Sequence, residues 1–310
     1  MNPTCTSNPA ERSLPAAGEL SLASDLSELT KARLTVMVMI TTLAGFALAS
    51  HGVFDWPRLI HTLIGTTLVA VCSSILNQAL ERKTDALMRR TRERPFVTHR
   101  LPLRETILVG IVLGVIGLAE LVLFVNALSA LLSALTLVIY VFIYTPLKRV
   151  SEINTLIGAI PGGLPPLIGT AAATGHLNVE GWLLFALLAV WQLPHFYAIA
   201  WMYRDDYQAA GLRMVSAHDR TGSRTAIHAV VTAIVLLPVS LLPAWIGHAG
   251  IFYAIIAGVL SLLFIAAAIR FVRQTDLTRA RILFLTSIIY LPLVLTALAL
   301  DIPIKGWLGW

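Results

Sequence analysis

Acidic and amide side chains recur every four residues in the stretch NQALERKTDALMRRTRERP, residues 77–95. Asn77, Glu81 and Asp85 are spaced i, i+4 and i+8, so they share one face if this stretch is helical. Carboxylate and amide oxygens on one face suit Mg²⁺, which takes few protein ligands and completes its shell with water and substrate phosphate. The spacing therefore predicts a set of magnesium ligands.

Four arginines follow these acids closely, at Arg89, Arg90, Arg92 and Arg94. One guanidinium group can bind two phosphate oxygens at once. Several cations together can stabilise a departing diphosphate. A solvated, salt-bridged loop would also contain acids and bases. The one-face acidic spacing at the end of an apolar run favours a magnesium–diphosphate site instead.

A second polar stripe lies in the stretch WQLPHFYAIAWMYRDD, residues 191–206. A spacing of three and four residues links Gln192, His195, Ile199, Met202 and Asp206, which predicts one face leading to Asp206 at its end. Polar side chains inside a membrane span are costly and are commonly functional. His195 is interpreted either as a hydrogen-bonded core residue or as a metal-centre contact, a proton shuttle or pocket lining.

A third group is the sequence YTPLKRV, residues 144–150. Lys148 and Arg149 are placed to reach phosphate from across a helical bundle, and Tyr144, one turn deeper, could face a cation. The next apolar run is rich in glycine and proline, which predicts an irregular helix. Such a helix either lines a cavity or packs closely on its neighbours.

The composition shows what must position these residues. The hydrophobic fraction is 57%, the charged fraction is 13% and the mean hydropathy is +0.78, whereas soluble domains carry about 25% charged residues. Nine apolar runs are long enough for membrane-spanning helices. They lie at 33–51, 59–79, 105–125, 128–147, 154–174, 181–202, 226–247, 250–270 and 281–300. The predicted fold is an all-α, polytopic membrane bundle around a central cavity.

The basic residues predict the orientation of this bundle. Of the 23 lysines and arginines, all except Arg58 and Lys305 fall in the N-terminal segment or in alternate loops. Because cytoplasmic loops retain Lys and Arg, the N-terminus is predicted to be cytoplasmic. The basic excess is thus a topology signal and does not indicate nucleic-acid binding. Residues 1–28 are predicted to be a disordered tail, and residues 29–310 a single transmembrane domain.

In these motifs the chain resembles the intramembrane aromatic prenyltransferase superfamily, and within it the protoheme IX farnesyltransferase branch. The likeness covers residues 29–300 and rests on four patterns, with LTKARLT at 29–35 in addition. The patterns are NxxxExxxDxxMxRTxxRP, YTPxKRxxxxN, GxxPGGxPPxxGxxA and PHFxxxAWxxRDDYxxAGxxM, which begin at Asn77, Tyr144, Gly158 and Pro194. Two departures stand out, since Glu81 replaces the usual aspartate and His195 lies near a position where many relatives carry an acid.

The resemblance implies Mg²⁺-dependent transfer of a farnesyl group from farnesyl diphosphate to a vinyl group of heme B, giving heme O. It implies site residues in four roles. Magnesium would be held by Asn77, Glu81, Asp85 and Asp206; diphosphate by Arg90, Arg94, Lys148 and Arg149; catalysis would involve Asp85, Arg90, Tyr144 and Lys148; and the heme pocket would include His195 and Gln192.

The same resemblance implies a multi-pass protein of the bacterial inner membrane, in contact with lipid, and suggests heme A synthase or oxidase assembly factors as partners. Two other functions compete with it. Prenyl transfer to a phenolic or chlorin acceptor would use similar residues. An ion-coupled transporter would place its acids near the bilayer midplane, whereas here the acids cluster at the inner ends of helices and Glu120 is the main acid inside a span. The sequence does not determine prenyl chain length or an axial heme ligand.

Overall fold

The computed structural model of the chain describes residues 22–50 and 54–308, with side chains described up to residue 301. All regular structure in this part of the chain is helical. The helices are α1 Leu22–Leu29, α2 Ala32–Ala49, α3 Trp56–Asp85, α4 Leu103–Phe124, α5 Ala127–Val138, α6 Thr145–Leu147, α7 Asn154–Thr174, α8 Val179–Met202, α9 Arg204–Ala209, α10 Ser223–Trp245, α11 Ile251–Arg273 and α12 Leu277–Leu308.

The predicted number of membrane spans is confirmed. Among the residues described, nine helical segments are long and apolar enough to cross a bilayer, with α5 and α6 forming one span at Ala127–Leu147. Helix α3 continues past the predicted end at 79 to Asp85. This extension keeps Glu81 and Asp85 on the same helix as Asn77.

Helix α7 lies at the centre of the bundle and packs against α2, α5 and α8. Helix α3 packs against α4 and α2, and α8 packs against α10 and α12. The α2–α7 crossing depends on glycine: a Cβ on Gly45 would lie 2.1 Å from the carbonyl oxygen of Pro166, and one on Gly169 would lie 2.0 Å from that of Thr42. Small residues thus let the two backbones touch.

Helix α7 remains an α-helix through Pro161, Pro165 and Pro166, so the expected irregular backbone is not observed. Proline removes backbone donors, yet close packing by neighbouring helices allows it inside a membrane helix. The two predicted uses of its small residues both occur. Gly169 serves close packing, while Gly158 and Gly162 line a cavity.

A π-helical turn at Ile139–Tyr144 joins α5 to α6. Such turns are rare and often occur at functional sites, because the extra residue per turn changes which side chains share a face. Here the rings of Tyr140 and Tyr144 stack with centroids 5.7 Å apart, and both line the same cavity. The turn therefore presents two aromatic faces to the bundle interior.

The tail predicted at residues 1–28 overlaps the first helix of the described structure. Residues 1–21 lie outside the described part, but Leu22–Leu29 forms α1. Asp25 is buried and forms an ion pair of 2.8 Å with Arg100, which raises the pKa of that guanidinium. Gln78 Nε2 donates to the carbonyl oxygens of Glu28 and Leu29 at 3.0 and 2.8 Å. These bonds hold α1 against the inner end of α3.

Candidate active site

A polar chamber of about 590 Å³ lies at the end of the bundle where α3 ends and α7 begins. It is lined by side chains from α1, α2, α3, α7, α8 and α9 and from the segments after α3, before and after α6, and after α9. Its charged lining residues are Glu28, Lys31, Arg33, Glu81, Asp85, Arg90, Arg94 and Lys148. Acids and bases distant in sequence therefore share one water-accessible space.

Glu81 and Lys148 form the first ion pair of the polar chamber. Lys148 Nζ donates to Glu81 Oε1 at 2.7 Å, and the two side chains are only 16% and 12% exposed. Burial lowers the pKa of Lys148, but the Glu81 carboxylate outweighs it and the net pKa is raised. The ammonium group therefore stays protonated at neutral pH, and it lies 4.4 Å from the centre of the Tyr144 ring.

Asp85 and Arg94 form the second ion pair, with Arg94 Nη1 2.6 Å from Asp85 Oδ2. The Asp85 side chain is 1% exposed, and its Oδ1 is buried without a hydrogen-bond partner among the described residues. An unpartnered buried carboxylate oxygen is costly. This oxygen is available to a cation that enters the chamber.

Asn77 does not line the polar chamber. Its Oδ1 accepts a hydrogen bond of 2.6 Å from Lys31 Nζ, and its Nδ2 donates to Thr145 Oγ1 at 2.9 Å. The same lysine donates to Tyr140 Oη at 2.9 Å. Asn77, Glu81 and Asp85 lie on one helix as predicted. Asn77, however, orients Lys31 and does not line the chamber.

Lys31 is a chamber residue that the sequence interpretation counted only as a topology signal. It lies between α1 and α2 with a left-handed backbone, φ 48°, which directs the chain from one helix into the next. The motif LTKARLT at 29–35 was the available signal, because it places a lysine before the first span.

Asp206 is outside the polar chamber. Helix α8 ends at Met202, and Tyr203 has a non-helical backbone before α9 begins at Arg204. This break ends the stripe predicted through Gln192 and His195. The Asp206 carboxylate accepts the backbone N–H groups of Arg89 and Arg90 at 3.2 and 3.4 Å.

Arg90 and Arg149 have different surroundings. Arg90 lines the chamber, and its guanidinium lies 4.9 Å from the centre of the Tyr203 ring. Arg149 is exposed, and its Nη2 donates to the carbonyl oxygen of Leu80 at 2.9 Å on the outside of α3. Of the two adjacent bases Lys148 and Arg149, the structure brings only Lys148 into the chamber.

An apolar cavity of about 260 Å³ adjoins the polar chamber, and the two share the lining residues Leu34, Tyr144 and Phe196. Gln192 also lines this cavity, and its Nε2 donates to the carbonyl oxygen of Ala159 at 2.8 Å. The Tyr144 ring lies close to α7 because residue 158 is glycine: a Cβ there would be 2.6 Å from the ring.

His195, on α8, lines neither the polar chamber nor the apolar cavity, and its side chain contacts α12. Its Nδ1 is 2.7 Å from Ser287 Oγ, and that hydroxyl donates its proton to the carbonyl oxygen of Phe284 at 2.5 Å. Nδ1 must therefore donate, which leaves Nε2 with a free lone pair. The ring is stacked with Trp191 and Phe284 at centroid distances of 5.5 and 5.0 Å.

The donor set fits a magnesium ion that is held jointly with a phosphate. Within the described residues, no three His, Cys, Asp or Glu side chains could hold a metal ion by themselves. Glu81 and Asp85, however, line one chamber, and each has one carboxylate oxygen outside its ion pair. Mg²⁺ is usually bound by one or two carboxylates, with water and substrate phosphate completing the shell.

Comparison with known sequences gives consistent matches. The profile of the UbiA prenyltransferase family matches residues 38–291. A protein of Solibacter usitatus named protoheme IX farnesyltransferase is 43% identical over 288 residues, which cover 90% of this chain and 99% of that relative.

Solved structures share the fold. One concerns digeranylgeranylglyceryl phosphate synthase in membranes. It has a TM-score of 0.76 at 17% identity, and the match covers 90% of this chain and 98% of the other. A UbiA homolog from Archaeoglobus fulgidus, bound to GPP and Mg²⁺, has a TM-score of 0.61 at 14% identity, covering 89% and 100%. At these identities the likeness concerns the fold.

Proposed function

The chain belongs to the UbiA prenyltransferase family, and from that premise we propose that it transfers the farnesyl group of farnesyl diphosphate to a vinyl group of heme B, giving heme O. The name of the Solibacter usitatus relative supports heme as the acceptor. The observation that carries the proposal is the polar chamber itself, in which paired carboxylates and cations adjoin an apolar cavity.

The diphosphate binds in the polar chamber, with the prenyl chain in the apolar cavity. Lys148 and Arg94 turn from Glu81 and Asp85 toward the phosphate oxygens, and Arg90 binds from the same loop as Arg94. Asp206 acts indirectly, because it fixes the backbone that carries Arg90. Lys31 adds a further positive charge, oriented by Asn77.

Glu81 and Asp85 would hold Mg²⁺ with the carboxylate oxygens that their ion pairs leave free. The bound ion supplies charge neutralisation on the diphosphate leaving group. Both acids are nearly buried, so their carboxylates lie in a part of the chamber where little water screens their charge. In a site of low dielectric constant, Lys148 and Arg94 stabilise the developing negative charge more strongly than they would in water.

Cleavage of the bond between C1 and oxygen sends the electron pair to the diphosphate and leaves an allylic cation. Tyr144 lies where the two spaces meet, so its ring faces that cation. The π electrons of the heme vinyl group form the new bond to C1. Water then adds to the carbon next to the porphyrin and loses a proton, which gives the hydroxyethylfarnesyl group. Apolar walls delay earlier capture by water.

The test is to incubate membranes with heme B, farnesyl diphosphate and Mg²⁺ and to identify heme O by mass. We expect heme O with Mg²⁺ and little product when the metal is chelated. Phenolic and chlorin acceptors should compete poorly. Absence of heme O beside an active control enzyme, or prenyl-diphosphate flux into proteoliposomes without any covalent product, would refute the proposal.

We place heme against α8, with Gln192 and His195 as contacts. Nε2 of His195 has a free lone pair and its ring is fixed by Ser287, which suits an iron ligand or a hydrogen-bond acceptor. Replacing His195 by alanine should weaken heme binding about tenfold or more and shift the Soret band of the purified protein. The control is His176→Ala, because His176 is exposed. An unchanged spectrum and affinity in His195→Ala would remove His195 from the heme site.

We further propose a bacterial inner-membrane location, with the N-terminus cytoplasmic and with α1 belonging to the same single domain as residues 29–310. The support is the sequestration of basic residues in alternate loops. Partners in heme A synthesis or oxidase assembly would take up the lipid-bound product. Labelling of an Arg58→Cys thiol, but not of an Arg213→Cys thiol, from the outer side would check the orientation, and the reverse pattern would invert it.

A further inference from the structure

We infer that Thr66, Ser133 and Ile168 form the closed end of the apolar cavity and limit the prenyl chain to three isoprene units. The inference rests on the proposed function, because that function places the diphosphate in the polar chamber. These three residues are the cavity-lining positions farthest along α3, α5 and α7 from the shared residue Tyr144. One residue from each of three helices closes the same end.

The depth of the cavity follows from helix geometry. On α7, lining residues run from Gly158, which lies against the Tyr144 ring, to Ile168. At 1.5 Å per residue this interval is about 15 Å long. From Tyr144 to Ser133, along the span that includes α5, the same rise gives about 16 Å. Two helices thus give the same depth independently.

This depth matches a farnesyl chain. The main chain of a farnesyl group has about twelve carbons, which extend over roughly 14 Å for carbon–carbon bonds near 1.5 Å. A geranylgeranyl chain extends over roughly 19 Å, and a geranyl chain over roughly 9 Å. The geranylgeranyl chain is too long for the cavity, and the geranyl chain leaves the closed end of the cavity empty.

The residues packed around Ile168 leave no room for a longer chain. Ile168 belongs to a buried cluster with Leu132, Leu164, Leu167 and Ala171, and its members are at most 7% exposed. Close-packed interiors contain few voids larger than a water molecule. A fourth isoprene unit would have to displace this cluster or bend back toward the polar chamber.

The size of the residues at the closed end gives the inference its test. Ser133 is small and buried, and its Oγ has no partner among the described residues. Leucine there would fill the bottom of the cavity without breaking a hydrogen bond of the described structure. Alanine at Ile168 would deepen the cavity by removing most of a buried side chain.

The experiment is a competition between geranyl, farnesyl and geranylgeranyl diphosphates, with heme B as acceptor and product masses as the readout. Wild type should prefer farnesyl over geranylgeranyl at least about tenfold. Because one methylene group in a pocket changes selectivity roughly 10- to 200-fold, Ser133→Leu should raise the geranyl-to-farnesyl ratio about tenfold or more. Ile168→Ala should raise the geranylgeranyl-to-farnesyl ratio by a similar factor.

Two variants on the lipid-facing sides of the same helices serve as controls. Leu131 and Leu156 are 63% and 48% exposed, so Leu131→Phe and Leu156→Ala change volume outside the cavity and should leave the ratios unchanged. Displacement of labelled farnesyl diphosphate by the other two diphosphates, without heme, repeats the test as binding. If Ser133→Leu does not fold, Ile168→Ala and the wild-type preference still test the inference.

The outcomes separate this inference from the proposed function. Ratios that stay equal in folded Ser133→Leu and Ile168→Ala, or a wild type that uses geranylgeranyl as well as farnesyl, overturn the length limit. A different result is chain-length selectivity in the binding assay that changes in both variants, while no prenylated heme forms. That result supports the length limit and refutes heme as the acceptor.

Discussion

Replacing Asp85 by asparagine should lower kcat/KM for prenyl transfer by about 10²- to 10³-fold, the loss that follows removal of one essential electrostatic group. Asparagine keeps the shape of the side chain but removes the charge that would hold Mg²⁺ through Oδ1. It also leaves Arg94, now 2.6 Å from Asp85 Oδ2, without its counter-ion. Steady-state kinetics with farnesyl diphosphate at varied Mg²⁺ would measure the effect, and the variant should require more metal.

The matched control is Glu93→Gln, which removes a carboxylate from the loop that follows Asp85. The Glu93 side chain is 71% exposed and, among the described residues, its ion pair is with the exposed Arg92, so kcat/KM should change less than about threefold, as for a surface ion pair. If Asp85→Asn retained full activity in correctly folded protein, the chamber would not be a metal–diphosphate site.

Replacing Lys148 by methionine should lower kcat/KM by about 10²-fold. Methionine preserves much of the apolar stem but removes the ammonium group that reaches Glu81 and lies beside Tyr144. Without it, the diphosphate loses a ligand and Glu81 loses its counter-ion. Kinetics combined with farnesyl diphosphate binding would show weaker binding as well as slower turnover.

The neighbouring Arg149→Gln variant distinguishes the observed geometry from the sequence expectation. Both bases were expected to bind phosphate, but Arg149 donates to Leu80 on the outside of α3. Its replacement should cost less than about fivefold in kcat/KM. A loss equal to that of Lys148→Met would mean that Arg149 enters the chamber during turnover.

Much of the fold could be predicted because its signals are local. The nine spans follow from apolar runs of membrane length, and the shared face of Glu81 and Asp85 follows from their spacing of four on one helix. Both properties depend only on residues close together in sequence. The spans are confirmed, and the two acids line the same chamber.

The rest depends on backbone features that spacing does not reveal. The π-helical turn directs Tyr140 and Tyr144 to one cavity, and the break at Tyr203 carries Asp206 away from the stripe of α8. Lys31 lines the chamber, and its own backbone is in the left-handed conformation. Each of these outcomes is decided by tertiary packing.

Glu120 is another residue whose role was not evident from sequence. Its Oε1 lies 2.7 Å from His61 Nδ1, so the acid within α4 pairs with a histidine on α3. The two residues are 59 positions apart in the sequence, so no pattern along one helix could reveal the pair. The pair connects the two helices and lies apart from the polar chamber.

A structure determined with Mg²⁺ and a non-hydrolysable farnesyl diphosphate analogue would test the central claim most directly. We predict metal density between the free oxygens of Glu81 and Asp85, phosphate oxygens within hydrogen-bond distance of Lys148 and Arg94, and the prenyl chain ending near Ile168. A diphosphate bound outside the polar chamber, with the Lys148–Glu81 and Arg94–Asp85 pairs intact, would contradict it.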